Sequence, residues 1–150
     1  IFLGQFFPWD GFENYQVAAQ SGFLPHTEWV EGSVGSYENL DNYQTGIHDY
    51  FKYLKFGFGR ATDIASLHIR RGRMTRNEAI QIVKDRDGKF PWFYLGKPLK
   101  QILSPLEMSV EEFEAVCDRF TNRQLFATDS HGELVKDQNS NLQKREDWLV

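Results

Sequence analysis

The amino-acid sequence predicts a mainly α protein with one strand at its N-terminus. Three features indicate this fold class: apolar residues recur every three to four positions, helix-capping patterns recur, and a continuous apolar run opens the chain. With 150 residues and 41% hydrophobic content, the chain is long enough to bury a core. This composition argues against a predominantly disordered protein.

The opening run, residues 1–7, is predicted to be a buried strand because it is continuously apolar. A buried strand needs neighbours on both sides, and no residue precedes Ile1. We therefore expect the chain to begin in the middle of an α/β domain. Asp10 and Glu13 then form the pattern of a capping box, which predicts a first short helix. Residues 23–40 show little periodicity and are predicted to form a loop.

Four more helices are predicted from apolar spacing and from their caps, over residues 40–54, 60–71, 76–87 and 110–120. The last two follow the capping boxes Thr75-x-x-Glu78 and Ser109-x-x-Glu112. After residue 122 the pattern fades. We therefore divide the chain into residues 1–122 and a polar tail, residues 123–150, which is expected to dock through Trp148.

Positive charge is concentrated in one part of an otherwise acidic chain. Residues 1–51 contain seven acids and neither Lys nor Arg, whereas residues 52–76 contain seven cations and only one acid, Asp63. The net charge of the whole chain is −4. Such clustering indicates a local anion site, and a solvated helix face explains it equally well.

Two glycines at the start of this basic region, Gly57 and Gly59, lie between Lys55 and Arg60. A predicted helix follows directly, and the free amides and dipole of a helix N-terminus attract anions. The pattern predicts a phosphate or pyrophosphate site. The alternative is a corner between two helices, in which the glycines permit close packing. A dinucleotide fingerprint is excluded, because a helix precedes the glycines and the third glycine is missing.

An arginine cluster, which includes Arg70, Arg73 and Arg76, lies at the turn after this helix. Arginine binds phosphate and carboxylate in a bidentate manner, so these residues are candidates for phosphate contacts. Two helices joined at a basic turn also resemble a helix-turn-helix, which would make the chain a stand-alone module for nucleic acid or an acidic partner. The acids of the predicted second helix and the negative net charge argue against nucleic acid.

The remaining reactive residue types indicate neither a metal site nor a disulfide. The four histidines lack metal-ligand spacing, and Cys117, the single cysteine, lies on the apolar face of a predicted helix. The apolar run at the N-terminus lacks a basic flank and is too short to span a bilayer, so no membrane partner is expected. We expect a cytoplasmic protein.

The stretch from His48 to Ala79 resembles the C-terminal half of the N-acetyl sugar amidotransferases of lipopolysaccharide and surface-glycan biosynthesis. The matching residues are His48-Asp49-Tyr50-x-Lys52-Tyr53-Leu54-Lys55-Phe56-Gly57-Phe58-Gly59-Arg60-Ala61-Thr62-Asp63 and Ile69-Arg70-x-Gly72-Arg73-x-Thr75-Arg76-x-Glu78-Ala79. Pro8-Trp9-Asp10 is similar to the segment before this motif, so the resemblance covers about residues 1–122.

The resemblance implies an ATP-pyrophosphatase fold and an enzyme that adenylates the acetamido oxygen of a sugar before ammonia displaces AMP. On this basis, Lys55 and Arg60 are expected to be catalytic residues at the pyrophosphate. Arg70, Arg73 and Arg76 are expected to bind substrate or nucleotide phosphates. Asp63 is a candidate magnesium or positioning ligand, and the alternatives are a helix cap and a partner of Arg60.

The ATP-binding loop of that family, Ser-Gly-Gly-x-Asp-Ser, is absent from the sequence. ATP and Mg²⁺ are therefore expected to bind the full-length enzyme, no cofactor is expected to bind tightly to this chain, and the chain alone is expected to be inactive. The expected partners are a missing N-terminal nucleotide-binding domain, a glutaminase subunit that supplies ammonia, and a nucleotide-linked acetamido sugar. An alternative role is that the aromatic segment 90–99 docks the glutaminase.

Overall fold

The computed structural model describes residues 1–7 and 9–148, and it confirms a mainly α fold in this part of the chain. The regular elements are α1 (Gly11–Gln20), α2 (Thr45–Phe56), α3 (Arg60–Arg70), α4 (Arg76–Arg86), β1 (Phe93–Tyr94), β2 (Lys97–Pro98), α5 (Leu99–Leu103) and α6 (Val110–Phe120). Short 3₁₀ helices cover Leu3–Gln5, Ser104–Leu106 and Glu146–Trp148. β1 and β2 pair in an antiparallel hairpin.

The strand predicted for residues 1–7 is wrong. Leu3–Gln5 form a 3₁₀ helix, and the side chains of the whole segment are exposed. The backbone of this segment makes its hydrogen bonds locally, since the Phe6 and Phe7 amides both donate to the Leu3 carbonyl at 2.9 Å. An isolated apolar run cannot form a strand without neighbours to complete its hydrogen bonds, and no strand of the described residues lies beside it.

Local capping signals place α1, α4 and α6 correctly. Thr75 with Glu78 and Ser109 with Glu112 both form the reciprocal bonds of a capping box, as predicted. Asp10 caps α1 by accepting from the Phe12 and Glu13 amides. α2 begins five residues later than predicted, because the Asn42 side chain accepts from the Gln44 amide and holds a turn before the helix.

The main core lies where α2, α5 and α6 meet. Its buried residues are Tyr50, Tyr53, Leu54, Phe90, Leu99, Leu103, Phe113, Cys117, Phe126 and Leu142. A second cluster lies between α3 and α4 and is covered by Val34. The outer faces of α3 and α4 carry polar residues and lie at the surface of the protein. The candidate site lies between these two helices.

The segment after residue 122 folds back onto the main core. Phe126 and Leu142 are buried there, and isolated antiparallel bridges join Phe126 to Lys144 and Lys136 to Leu142. The Lys136 ammonium also donates to Glu114 and Asp118 of α6 at 2.8 Å each. The docking expected of the Trp148 side chain lies outside the described part of the chain.

No helix within residues 1–7 and 9–148 combines the length and the apolar character that crossing a membrane requires.

Candidate anion-binding groove

Asp87 occupies the N-terminus of α3, where the sequence predicts a phosphate. Its carboxylate accepts from the Gly59 amide at 2.8 Å, from the Ala61 amide at 3.0 Å and from the Thr62 hydroxyl at 2.5 Å. A carboxylate is the anion that a helix N-terminus favours. A Cβ atom on Gly59 would lie 2.8 Å from the Asp87 oxygen, so any side chain at this position would push the carboxylate away from the amides. A phosphate could bind these amides only by displacing Asp87.

Sequence reasoning missed Asp87 because the cap lies more than 25 residues from the amides that it binds. The available signal was its position: an acid directly before the glycine that ends α4. That glycine, Gly88, has a φ of +74° and turns the chain at the end of the helix. The sequence indicated the turn correctly, and it gave no indication of which residues the Asp87 carboxylate would contact.

Lys55 and Arg60, the predicted catalytic pair, do not lie on one site. The Arg60 guanidinium donates to the Glu38 carboxylate from Nη2 at 2.7 Å and from Nε at 3.2 Å. Lys55 is exposed, and its ammonium lies 5.5 Å from the centroid of the Phe120 ring. Asp63, a candidate magnesium ligand, forms an ion pair with Lys52.

Arg73 is committed to a buried ion pair. Its Nη2 donates to Asp10 at 2.5 Å, and its guanidinium lies 5.1 Å from the centre of the Phe12 ring. Asp10 is almost completely buried, and the hydrogen bond from Arg73 is the largest of the interactions that lower the pKa of its carboxyl. Arg71 also contacts Asp10, at 3.5 Å. This arrangement joins the start of α1 to the turn between α3 and α4.

Arg70 and Arg76 lie on the surface, and neither has a carboxylate partner among residues 1–7 and 9–148. Arg76 lines a groove between α3 and α4, and Arg70 does not. The predicted cluster of arginines is thus divided: Arg73 stabilises the fold, Arg70 faces solvent, and Arg76 faces a groove.

The groove lies between α3 and α4 and has a volume of about 430 Å³. Three cations line it, Arg76, Lys84 and Lys144, and none of them has a carboxylate partner in the described part of the chain. Ser66 adds a hydroxyl group from α3, whereas the Thr62 hydroxyl already donates to Asp87, and the half-exposed Phe58 adds an aromatic ring. Unpaired cations beside a hydroxyl group provide the chemistry of a phosphate site.

Two of these cations were not predicted as site residues. Lys84 had a signal in the sequence, because Arg76, Ile80 and Lys84 are spaced four residues apart and must share one face of a helix. Lys144 had none. It reaches the groove only because the tail folds back, and its ammonium lies 5.5 Å from the centre of the Tyr53 ring.

A second, smaller cavity of about 190 Å³ adjoins the groove. It lies between α2 and the segment 86–94, and its aromatic lining includes Tyr50, Phe90 and Trp92. Tyr53 and Asp87 line both cavities. Burial raises the pKa of Tyr53 to about 12, so its hydroxyl keeps its proton at neutral pH.

No histidine or cysteine among residues 1–7 and 9–148 lines either of these two cavities. Burial raises the pKa of the Cys117 thiol to about 12, which makes it a poor nucleophile. His68 lies against Phe12 and Arg73, and its pKa is lowered first by burial and then by the charge of Arg73. His68 therefore packs as a neutral side chain beside the ion pair of Asp10 and Arg73.

Comparison with known families places these features in a defined domain. The family model described as "LPS biosynthesis protein WbpG-like, C-terminal domain" matches residues 26–139, which is more than half of the chain. No sequence among the curated proteins matches the chain. The matched region contains α2 to α6, the smaller cavity, and two of the three cations of the groove, Arg76 and Lys84. The chain therefore belongs to the family of WbpG-like C-terminal domains of lipopolysaccharide (LPS) biosynthesis proteins.

Proposed function

We propose that this chain is the C-terminal portion of an ATP-dependent amidotransferase that converts an acetamido sugar into an acetamidino sugar during LPS or O-antigen biosynthesis. Two findings support the proposal: membership of an LPS biosynthesis family, and the resemblance of residues 48–79 to N-acetyl sugar amidotransferases. The structural observation that carries it is the groove, where Arg76, Lys84 and Lys144 leave positive charge available to a phosphate-bearing ligand.

The reaction exchanges an oxygen atom for a nitrogen atom. The acetamido oxygen attacks the α-phosphorus of ATP, and pyrophosphate leaves. Ammonia then adds to the activated carbon, and AMP leaves with the oxygen, which gives the acetamidino group. Both departures generate anions, so the protein must supply cations that stabilise developing negative charge.

The groove residues differ in what they contribute. The planar guanidinium of Arg76 suits two parallel hydrogen bonds to one phosphate, whereas Lys84 and Lys144 act as point charges. Lys55, Arg60 and Arg70 stay predicted contributors. Arg60 would have to share its guanidinium with Glu38, which already accepts two of its hydrogen bonds. The groove is the part of this chain that fits ATP phosphates or the diphosphate of a nucleotide-linked sugar.

The proposal includes components beyond these 150 residues. We infer an N-terminal nucleotide-binding domain that binds ATP with Mg²⁺, a glutaminase subunit that supplies ammonia, and a cytoplasmic site of action. For the glutaminase, segment 90–99 stays a candidate contact, since it forms the β1–β2 hairpin with Trp92 and Phe93 exposed.

Replacing Arg76 tests the proposal. In the protein that joins this chain to its nucleotide-binding domain, Arg76→Ala should lower pyrophosphate release by about 10- to 100-fold, the effect of losing a charged hydrogen bond. Arg119→Ala is the matched control, because Arg119 is exposed on α6 and lines neither cavity. Unchanged pyrophosphate release by Arg76→Ala would contradict the role given to the groove.

The helix-turn-helix alternative makes a different prediction. A nucleic-acid module would bind DNA or RNA in a salt-dependent manner and would do so without ATP. Within α4, however, Glu78 is held in the capping box and Asp85 is exposed, so the negative charge of these acids offsets the positive charge that the helix could offer to a phosphate backbone. Absence of DNA and RNA binding at low salt would eliminate this alternative.

A further inference from the structure

The smaller cavity has the dimensions of a site for one ring. Its volume of about 190 Å³ is below the ~300–1,000 Å³ of pockets that enclose drug-sized ligands. The walls come from α2 on one side and from the segment 86–94 on the other. Tyr50, Tyr53 and Phe90 of these walls belong to the main core, so the protein's own packing forms the cavity.

An aromatic side chain is fixed at the mouth of this cavity. Trp92 is 40% exposed, and its ring lies 4.7 Å from that of Phe90, measured between centroids. Its indole N–H donates to the Asn139 carbonyl at 2.9 Å, which fixes the orientation of the ring. An exposed, oriented ring offers a flat apolar surface to a ligand at little cost in side-chain entropy.

Polar groups lie beside these rings. The Asp49 carboxylate lines the cavity and is mostly buried, and Arg60 lines it as well. One Asp49 oxygen contacts the His48 ring at 3.1 Å, and its other oxygen has no hydrogen-bond partner among residues 1–7 and 9–148. Glu31, at the rim, accepts from the Leu95 amide. Carboxylate oxygens of this kind accept hydrogen bonds from ligand hydroxyls.

Aromatic walls with adjoining carboxylates match the chemistry of a pyranose. A sugar ring has a face of C–H groups that packs on aromatic rings and an edge of hydroxyls that donate to carboxylates. A nucleobase would also stack and could donate its amino groups to Asp49 and Glu31, but it lacks the several hydroxyl donors that surround a pyranose. We propose that the cavity lined by Trp92, Phe90 and Asp49 binds the pyranose ring of the acetamido sugar, an inference that rests on the proposed function.

The position of the cavity agrees with the form of the substrate. Tyr53 and Asp87 separate it from the cationic groove, and both residues line the two cavities. A nucleotide-linked sugar has a neutral ring joined to a diphosphate. The ring fits the aromatic cavity and the diphosphate fits the groove beside it, so the two halves of one substrate have neighbouring sites of matching chemistry.

Saturation-transfer NMR on the 150-residue chain can test the two halves separately. The probes are N-acetylglucosamine for the ring, UDP for the diphosphate, and adenosine for a nucleobase without phosphate. We expect saturation transfer to N-acetylglucosamine, and little to adenosine. No transfer to N-acetylglucosamine would overturn the sugar site, and continued binding of UDP in the same sample would leave the groove and the proposed function standing.

Variants place the sugar within the cavity. Asp49→Asn and Trp92→Ala should each weaken N-acetylglucosamine binding by about fivefold or more, the effect of one lost polar or aromatic contact. Their matched controls, Asp85→Asn and Trp9→Ala, change exposed residues outside the cavity and should leave binding unchanged. Trp92→Phe retains an aromatic face and should restore most of the affinity. Equal affinities in the cavity variants and the controls would overturn the assignment.

Discussion

Asp87 connects two helices through a single carboxylate. It ends α4 and binds the amides at the start of α3, so the two helices are held at one point by charge-assisted hydrogen bonds. The same residue forms part of the wall between the groove and the aromatic cavity. A change at Asp87 therefore affects both the stability of the α3–α4 pair and the shape of the candidate site.

Asp87→Ala should lower the free energy of unfolding by about 2 kcal/mol, because it leaves the first amides of α3 without their cap. Asp85→Ala is the control: Asp85 is exposed near the end of the same helix, and its removal should change stability by no more than about 0.5 kcal/mol. Urea unfolding measures both. A loss at Asp87 no greater than that at Asp85 would show that the cap contributes nothing.

The buried pair of Asp10 and Arg73 predicts a pH dependence of stability. Arg73 lowers the pKa of the Asp10 carboxyl below its usual value, so the folded state favours the charged form. The stabilisation is complete above the pKa of the unfolded chain, about 4, and is lost as the pH falls through the lower folded pKa.

Asp10→Asn isolates this effect, because asparagine keeps an oxygen for the α1 amides but cannot ionise. The difference in unfolding free energy between the native protein and Asp10→Asn should be largest at pH 6 and should shrink towards pH 3. Other carboxyls titrate in both proteins and cancel in the difference. A difference that is constant with pH would contradict the ion pair.

At the scale of elements, the sequence predicted what depends on neighbouring residues. The capping boxes at Thr75 and Ser109 place α4 and α6, because a cap and its helix are adjacent in the chain. The strand predicted for residues 1–7 failed, since a strand depends on partners elsewhere. The same limit applies to the site: the positions of the cations were visible, but their pairing with distant acids was not.

Gly88 shows how one residue permits the close packing of two elements. It ends α4 with a φ of +74°, and a Cβ atom there would lie 2.2 Å from the Tyr53 ring. Gly72 has a similar φ of +69° but open space around it. The two positions therefore share the backbone requirement and differ only in the steric contact.

Gly72→Ala should lower the unfolding free energy by about 1 kcal/mol, the cost of a left-handed conformation. Gly88→Ala should lower it by about 1–3 kcal/mol more, because the methyl group overlaps Tyr53. Urea unfolding of the two variants gives the difference directly. Equal losses would mean that Tyr53 moves aside without cost, and that the packing of α2 against the end of α4 is loose.

At the scale of the whole molecule, the candidate groove is assembled from distant parts of the chain. Thr62 comes from α3, Arg76 and Lys84 from α4, and Lys144 from the segment that returns after α6. Charge clustering in the sequence indicated an anion site in residues 52–76, and Arg76 is the predicted residue that reaches the groove. Lys144 was beyond prediction, because only the tertiary fold brings it there.

The central proposal is that this chain takes part in exchanging oxygen for nitrogen on an acetamido sugar. The most direct test supplies the full-length protein with ATP, Mg²⁺, a nucleotide-linked acetamido sugar and ¹⁵N-labelled ammonium, and follows the sugar by mass spectrometry. We expect an acetamidino product that carries one ¹⁵N in place of the amide oxygen, formed together with AMP and pyrophosphate. An unlabelled sugar, recovered unchanged while the protein binds ATP, would contradict it.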